Sequence, residues 1–272
     1  MKTDIELISI GSELLSGRTL NSHAQTLGAA LAKVGLSLLR DTTIPDEIET
    51  IQSAVREAFG RTDIVVVSGG LGPTSDDITR DALAGLFGRK IVTSPAALAA
   101  LHKRFNERGR TATPAAERQA LILDGAETLL NSAGMAPGER LDLPGNKTLF
   151  ILPGPPNEFA AVLNDHIIPW LIKKFPDVVP LELRVLTTQG IGESDIVTRL
   201  EAAGFQPLET SIGFYPGVAT PSGRCSAIAE PLSLCSGGKV EIRLTAPREH
   251  LAALEAVERA LRAILHDKLV AE

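Results

Sequence analysis

Residues 63–79 read DIVVVSGGLGPTSDDIT. Positions 64–67 form an unbroken β-branched apolar run, the composition of a short strand covered by helices on both faces. Gly69, Gly70 and Gly72 follow, then Thr74, Ser75, Asp76 and Asp77, residue types that open helices. The pattern predicts a helix over about 76–87 with Gly88 as its stop signal. Strand, glycine turn and helix start, in that order, make the joint of an open α/β fold. Ligands of such folds collect outside the carboxyl ends of the strands.

The flanking sequence repeats the alternation. Residues 4–10 (DIELISI) read as a strand ending at Gly11, and 21–34 carry Leu27, Leu31 and Val34 at helical spacing. A second extended run covers 36–43 and a second helix 47–59. Beyond the quoted stretch, 95–108 and 114–121 read as helices, 126–130 and 148–152 as strands, and 156–174 as a helix broken near Pro169. The expected fold is α/β, a three-layer sandwich on a mostly parallel sheet with right-handed crossovers. Composition shifts at Phe175-Pro176, which places the expected domains at 1–174 and 175–272. The second reads as a small α+β unit: strand 181–188, helix 193–203, strand near 210–215, a Gly/Pro/Ser-rich excursion over 216–238, strand 239–245 and a last helix over about 248–266.

Of 272 residues, 44% are apolar, enough to fill real cores, and only 4% are aromatic. The net charge is −6, with 18 basic and 20 acidic residues up to position 175 and 9 and 13 after it. Neither half has the excess of cations that binds a phosphate backbone, so no nucleic-acid partner is expected. No apolar leader or membrane-length apolar run occurs, and a cytoplasmic protein with no membrane partner is expected. Cys225 and Cys235 lack nearby histidines, so zinc is not expected, and a disulfide between them is not required.

The chemistry is expected in the loops. A glycine turn at a helix start points backbone N–H groups at an anion. Asp76 and Asp77 would oppose a phosphate there, by roughly 4 kcal/mol for a pair about 4 Å apart at an effective dielectric near 20. A bridging hard cation, Mg²⁺, Mn²⁺ or one of the Co type, resolves that conflict. Ordinary capping is the competing reading of the two aspartates, although capping does not call for three glycines. Glu13 sits in the glycine turn after the first strand, Asp46 in Pro45-Asp46-Glu47 after the second, and Glu158 in the loop 152–158, LPGPPNE. Each also has a structural reading as a loop or first-turn residue. His23, His102, His166, His250 and His266 are widely spaced and read as structural or surface residues. Neither a G-x-S-x-G elbow nor an H-E-x-x-H pair occurs, which leaves metal-assisted hydrolysis or transfer.

The ordered set GSELLSG (11–17), Asn21, PDE (45–47), SGGLGPTSDDIT (68–79), ERQA (117–120), NSAGMAPG (131–138) and LPGPPNE (152–158) resembles the competence/damage-inducible protein A (CinA) family. GIGES (190–194) and VEIRLTA (240–246) resemble its KH-like middle domain, and the first 170 residues or so its molybdopterin-binding-like domain. The resemblance implies a divalent-metal and potassium-stimulated hydrolase that splits ADP-ribose into AMP and ribose 5-phosphate; a related domain hydrolyses FAD. It implies Asp46 and Asp77 as leading catalytic candidates. Glu13, Asp76, Asp77 and Glu158 follow as metal candidates, and Gly11, Asn21, Gly69, Gly70, Gly72, Thr74, Asn131, Gly154 and Asn157 as residues framing the ligand.

Two departures bear on function. Many family members continue into a nicotinamide-nucleotide amidase domain and this chain stops at Glu272, so deamidation is not inferred. Residues 217–238 look like an insertion in the KH-like unit, which lacks a G-x-x-G clamp and is acidic. That unit is expected to serve as an interdomain or dimerisation module. The partners expected are a nucleotide substrate, a second copy of the chain and a separately encoded amidase. A molybdopterin-type carrier or transferase, and a non-catalytic assembly module, are the rival functions.

Overall fold

The computed structural model describes residues 4–216 and 239–270. The chain divides into two compact units, Met1–Val178 and Val179–Glu272.

The first unit is built on a six-stranded sheet. Its strands are β1 (Asp4–Ile10), β2 (Ser37–Ile44), β3 (Ile64–Ser68), β6 (Glu127–Leu129), β7 (Gly138–Leu143) and β8 (Lys147–Leu152), in the order β2-β1-β3-β8-β7-β6. The first four in that order run parallel, and β7 and β6 complete an antiparallel edge. Alternation along the strands explains the layers. Ile5, Leu7, Ile64, Val66, Phe150 and Leu152 face α2 (His23–Lys33), α7 (Pro156–Val162) and α8 (Ile168–Lys174). Their neighbours Ile8, Ile10, Val65, Val67, Leu149 and Ile151 face α3 (Ile48–Arg61) and α4 (Thr79–Phe87). Every residue of β3 is buried, as its unbroken apolar run requires. The result is the expected three-layer α/β sandwich.

Four local features differ from the sequence expectation, each for a physical reason. The helix after the glycine turn begins at Thr79, not near Asp76, because the aspartates close the turn before it. Strand β7 has no counterpart in the sequence reading: its buried face carries Glu139 at 0% exposure, which hides the apolar alternation. The expected helix 114–121 is a single turn, α6 (Pro114–Glu117), followed by a 3₁₀ turn and then β5 (Leu121–Leu123), which pairs with β4 (Ile91–Thr93). Finally, 156–174 continues past Pro169 through a π-helical turn, Leu163–Ile167. Proline lacks the N–H of a normal helical bond, and the wider turn accommodates the ring without breaking the axis.

The second unit is a three-stranded antiparallel sheet in the order β10-β11-β9, from β9 (Leu181–Gln189), β10 (Ser211–Pro216) and β11 (Lys239–Pro247). One face buries Leu186, Ile242 and Leu244 against Ile196 and Leu200 of α9 (Glu193–Ala202) and Leu254, Val257 and Leu261 of α10 (Leu251–Ile264). Residues 217–238, including Cys225 and Cys235, lie outside the described residues. Among the described residues no helix is long and apolar enough to cross a membrane.

Candidate functional site

The loops that leave the carboxyl ends of β1, β2, β3 and β8 enclose a cleft of about 370 Å³. Its walls include Gly11 and Glu13 from the first loop, Asn21 and His23 at the start of α2, Asp46 after β2, Gly69, Gly70, Asp76 and Asp77 after β3, and Gly154 after β8. Four strand ends far apart in sequence thus meet because the parallel order puts all their carboxyl ends on one edge. A cavity of about 400 Å³ elsewhere in the unit, between Phe59, Leu86, Phe87 and Leu143, has no acidic residue in its wall.

Glycine is obligatory where the loops touch. Gly69 has φ +108°, and a Cβ there would collide with the Ile10 carbonyl oxygen. The Gly11 and Gly69 N–H groups donate to the carbonyls of Ile44 and Leu152, which ties each loop to the neighbouring strand end. Among the described residues no hydrogen bond uses the N–H of Gly70 or Gly154, so these remain for an anion.

The carboxylates are not equivalent. Asp77 turns back into its own loop: Oδ1 accepts from the Gly72 N–H at 2.8 Å, and Oδ2 from the Thr74 N–H at 2.8 Å and from the Thr74 hydroxyl. The loop's own carboxylate therefore occupies the amides of Gly72 and Thr74, which differs from their expected role in holding substrate. Asp76 is held below the usual carboxylate range, chiefly by the polar Thr74 side chain of its own loop. Asp46 Oδ2 accepts from the Ser12 N–H at 2.8 Å and the Ser12 hydroxyl at 2.9 Å. No described residue bonds its Oδ1. The Glu13 carboxylate lies over Gly11, where a side chain would leave no room for it.

Other expected residues are engaged outside the cleft wall. Asn131 Nδ2 donates to Glu158 Oε2 at 2.7 Å and to the Ala136 carbonyl at 2.9 Å, while its Oδ1 accepts from the N–H groups of Ala133 and Gly134. Burial pushes Glu158 up, opposed by the Asn131 bond and by Arg104. This pair shapes the 131–136 turn, which corrects the metal role expected of Glu158 and the substrate role expected of Asn131. Asn157 stands exposed in the first turn of α7, and like Gly72, Thr74 and Asn131 it is not part of the cleft wall. Asn21 lines the cleft but spends its side chain on Thr43 Oγ1 and the His23 N–H.

Two features escaped the sequence reading. His23, expected as structural or surface, is 5% exposed, stacks on Phe159 at 4.3 Å and lines the cleft. Its sequence signal was a place on the apolar stripe of α2 with Leu27 and Leu31. Burial lowers its pKa. Arg80 and Glu139 form a buried ion pair at 2.8 Å; Arg80 also donates to the Leu71 carbonyl and Glu139 accepts from the Leu123 N–H. Burial pushes Glu139 up and the Arg80 guanidinium opposes it. Nothing in the spacing of positions 80 and 139 announces this brace under the glycine loop.

The wall of the cleft thus carries Glu13, Asp46, Asp76 and Asp77 and no Lys or Arg. Among the described residues no three His, Cys, Asp or Glu side chains converge as a ready-made cation cage.

A family model described as "Probable molybdopterin binding domain" matches residues 6–173. A protein of Geobacillus sp. (strain WCH70) named for competence-damage inducibility is 35% identical over 263 residues, covering 96% of this chain and 58% of that protein. A CinA-like protein of Dictyoglomus thermophilum is 38% identical over 189 residues, covering 70% of this chain and 45% of its own length. The chain spans about half the length of the curated relatives it matches. The crystal structure of the protein CinA, of unknown function, from Thermoplasma acidophilum superposes with a TM-score of 0.55 at 34% identity, covering 63% of this chain and 96% of that one. With the molybdopterin-binding model matched across its first unit and CinA proteins aligned along nearly its whole length, the chain belongs to the CinA family.

Proposed function

We propose that the first unit hydrolyses the pyrophosphate link of a nucleotide, with ADP-ribose as the substrate and AMP and ribose 5-phosphate as the products. The observation that carries this reading is the composition of the cleft: free amides of Gly70 and Gly154 beside four carboxylates, with no cationic side chain in its wall. Such a site disfavours a bare phosphate and favours one that arrives with a divalent cation. The residues fit that group. Mg²⁺ is commonly held by one or two carboxylates together with substrate phosphates, so a three-residue cage is not needed. Glu13 and Asp76 would hold it, since Asp77 is committed to its loop and Asp46 keeps its one unbonded oxygen for the water.

When bound, the cation neutralises charge that develops on the phosphoryl oxygens. The chain supplies the rest. The Gly70 and Gly154 amides orient the phosphates. Asp46 Oδ1 accepts a hydrogen from the attacking water, whose oxygen bonds to one phosphorus as the bridging P–O bond breaks. Asp77 keeps the loop in the shape that exposes the Gly70 amide. Incubation of the protein with ADP-ribose and Mg²⁺, Mn²⁺ or Co²⁺ should release AMP, and Asp46→Asn should slow release by about 10²-fold or more with the fold intact. Absence of AMP with every cation overturns the reading.

The match to a molybdopterin-binding family model favours a second reading, in which the same cleft holds a pterin phosphate without cleaving it. Pterin fluorescence copurifying with the protein, with no nucleotide turnover, would favour it.

A further inference from the structure

The cavity of about 400 Å³ in the first unit lies at the end of the sheet opposite the cleft. The last turns of α3 and α4 and the turn from β7 into β8 enclose it, on the side where β3 and β8 begin. Phe59 and Phe87 line it edge to face, with ring centroids 6.3 Å apart. Leu86, Phe87 and Leu143 pack on the core between α3 and α4 but are only half-buried, so that core is left open here.

Two cations stand in this apolar wall, and no carboxylate does. Lys147 Nζ lies 5.3 Å from the centre of the Phe59 ring and donates to the Phe59 carbonyl, which closes the last turn of α3. That bond uses one of the three hydrogens of the ammonium, and two remain. Arg56, exposed on α3, brings a guanidinium to the same wall. Among the described residues neither cation has an ion-pair partner, although the chain carries 33 acidic side chains to 27 Lys and Arg.

We propose that this cavity binds a small aromatic carboxylate, its ring against Phe59, Phe87 and Leu143 and its carboxylate on Arg56 and Lys147. Size, surface and charge each favour that class. Ligand pockets of about 300–1,000 Å³ are mostly apolar with a few placed polar groups. An apolar cavity of about 150 Å³ already admits a benzene ring, so this one has room for a fused pair. Two rings set edge to face gain from a third ring through edge and offset contacts that an aliphatic chain lacks. The guanidinium fork matches the two oxygens of a carboxylate, and the ammonium adds a second charge-assisted donor. The site shares no residue with the cleft and does not depend on the pyrophosphate reading.

The test follows 2-naphthoate binding to the whole chain by NMR of the leucine methyl groups. Leu86 and Leu143 report on the cavity, and Leu14 and Leu20 on the cleft. Saturable shifts are expected at Leu86 and Leu143 and not at Leu14 or Leu20. Naphthalene-2-carboxamide, uncharged and of the same shape, should bind about tenfold more weakly or worse, and so should 2-naphthoate to Arg56→Gln, a substitution at an exposed position. Acetate, which lacks the ring, should leave both reporters unmoved. Shifts confined to the cleft leucines, equal affinity for acid and amide, or an affinity unchanged in Arg56→Gln overturns the proposal. So does the absence of any shift at Leu86 and Leu143 up to millimolar 2-naphthoate. Movement of these two leucines on dilution of the protein alone would place a second copy of the chain on the groove and overturn it as well.

Discussion

At the scale of single residues, Asp77 and Asp46 show how identical side chains acquire different work. Asp77 has both oxygens engaged by Gly72 and Thr74, and so acts as an internal anion that fixes the glycine loop. Asp77→Asn keeps the shape but cannot accept on both sides. It should cost about 1–3 kcal/mol in chemical denaturation and weaken ligand binding as the loop loosens. His23 gives a prediction with a definite sign. Its folded pKa is lowered by burial, so the fold favours the neutral ring. The stability this contributes is complete above the unfolded value of about 6.5 and is lost as the pH falls from there through the lowered folded value. In His23→Gln that part of the pH dependence of unfolding should be missing. Arg80 is a third case: Arg80→Met leaves Glu139 buried without its counter-charge, and a loss of about 3–5 kcal/mol is expected in urea unfolding.

At the scale of elements, the central strands and their helices could be read directly because burial on both faces leaves a plain apolar signature, as in residues 64–67. The glycine loop could be read as a close-approach turn, three glycines where a cap needs none, and Gly69 and Gly70 do line the cleft. What could not be read depended on partners distant in sequence. Glu139 makes β7 look polar until Arg80 is placed 59 positions away, and Asp46 is an exposed loop residue until Ser12 meets it 34 positions away. The aspartates at 76 and 77 look like helix-opening residues; only the loop geometry shows one of them bonded backwards. Phe159 links core and site at this scale, being fully buried in α7 and stacked beneath His23. Phe159→Ala should cost about 3–5 kcal/mol of stability and free the imidazole, which its NMR line would report.

At the scale of the whole molecule, each unit has its own core, so damage to one need not reach the other. Leu254→Ala in the second unit should remove about 2–5 kcal/mol from that unit's unfolding transition in calorimetry, with the AMP release proposed for the first unit unchanged. The cleft wall of the first unit holds four carboxylates and no Lys or Arg, and a phosphate ligand is therefore expected to enter only with a cation. Equilibrium dialysis of the α,β-methylene analogue of ADP-ribose against chelator-treated protein, without and then with Mg²⁺, tests this most directly. Retention of the analogue is expected only when Mg²⁺ is present. Equal retention in the absence of any divalent ion would contradict it.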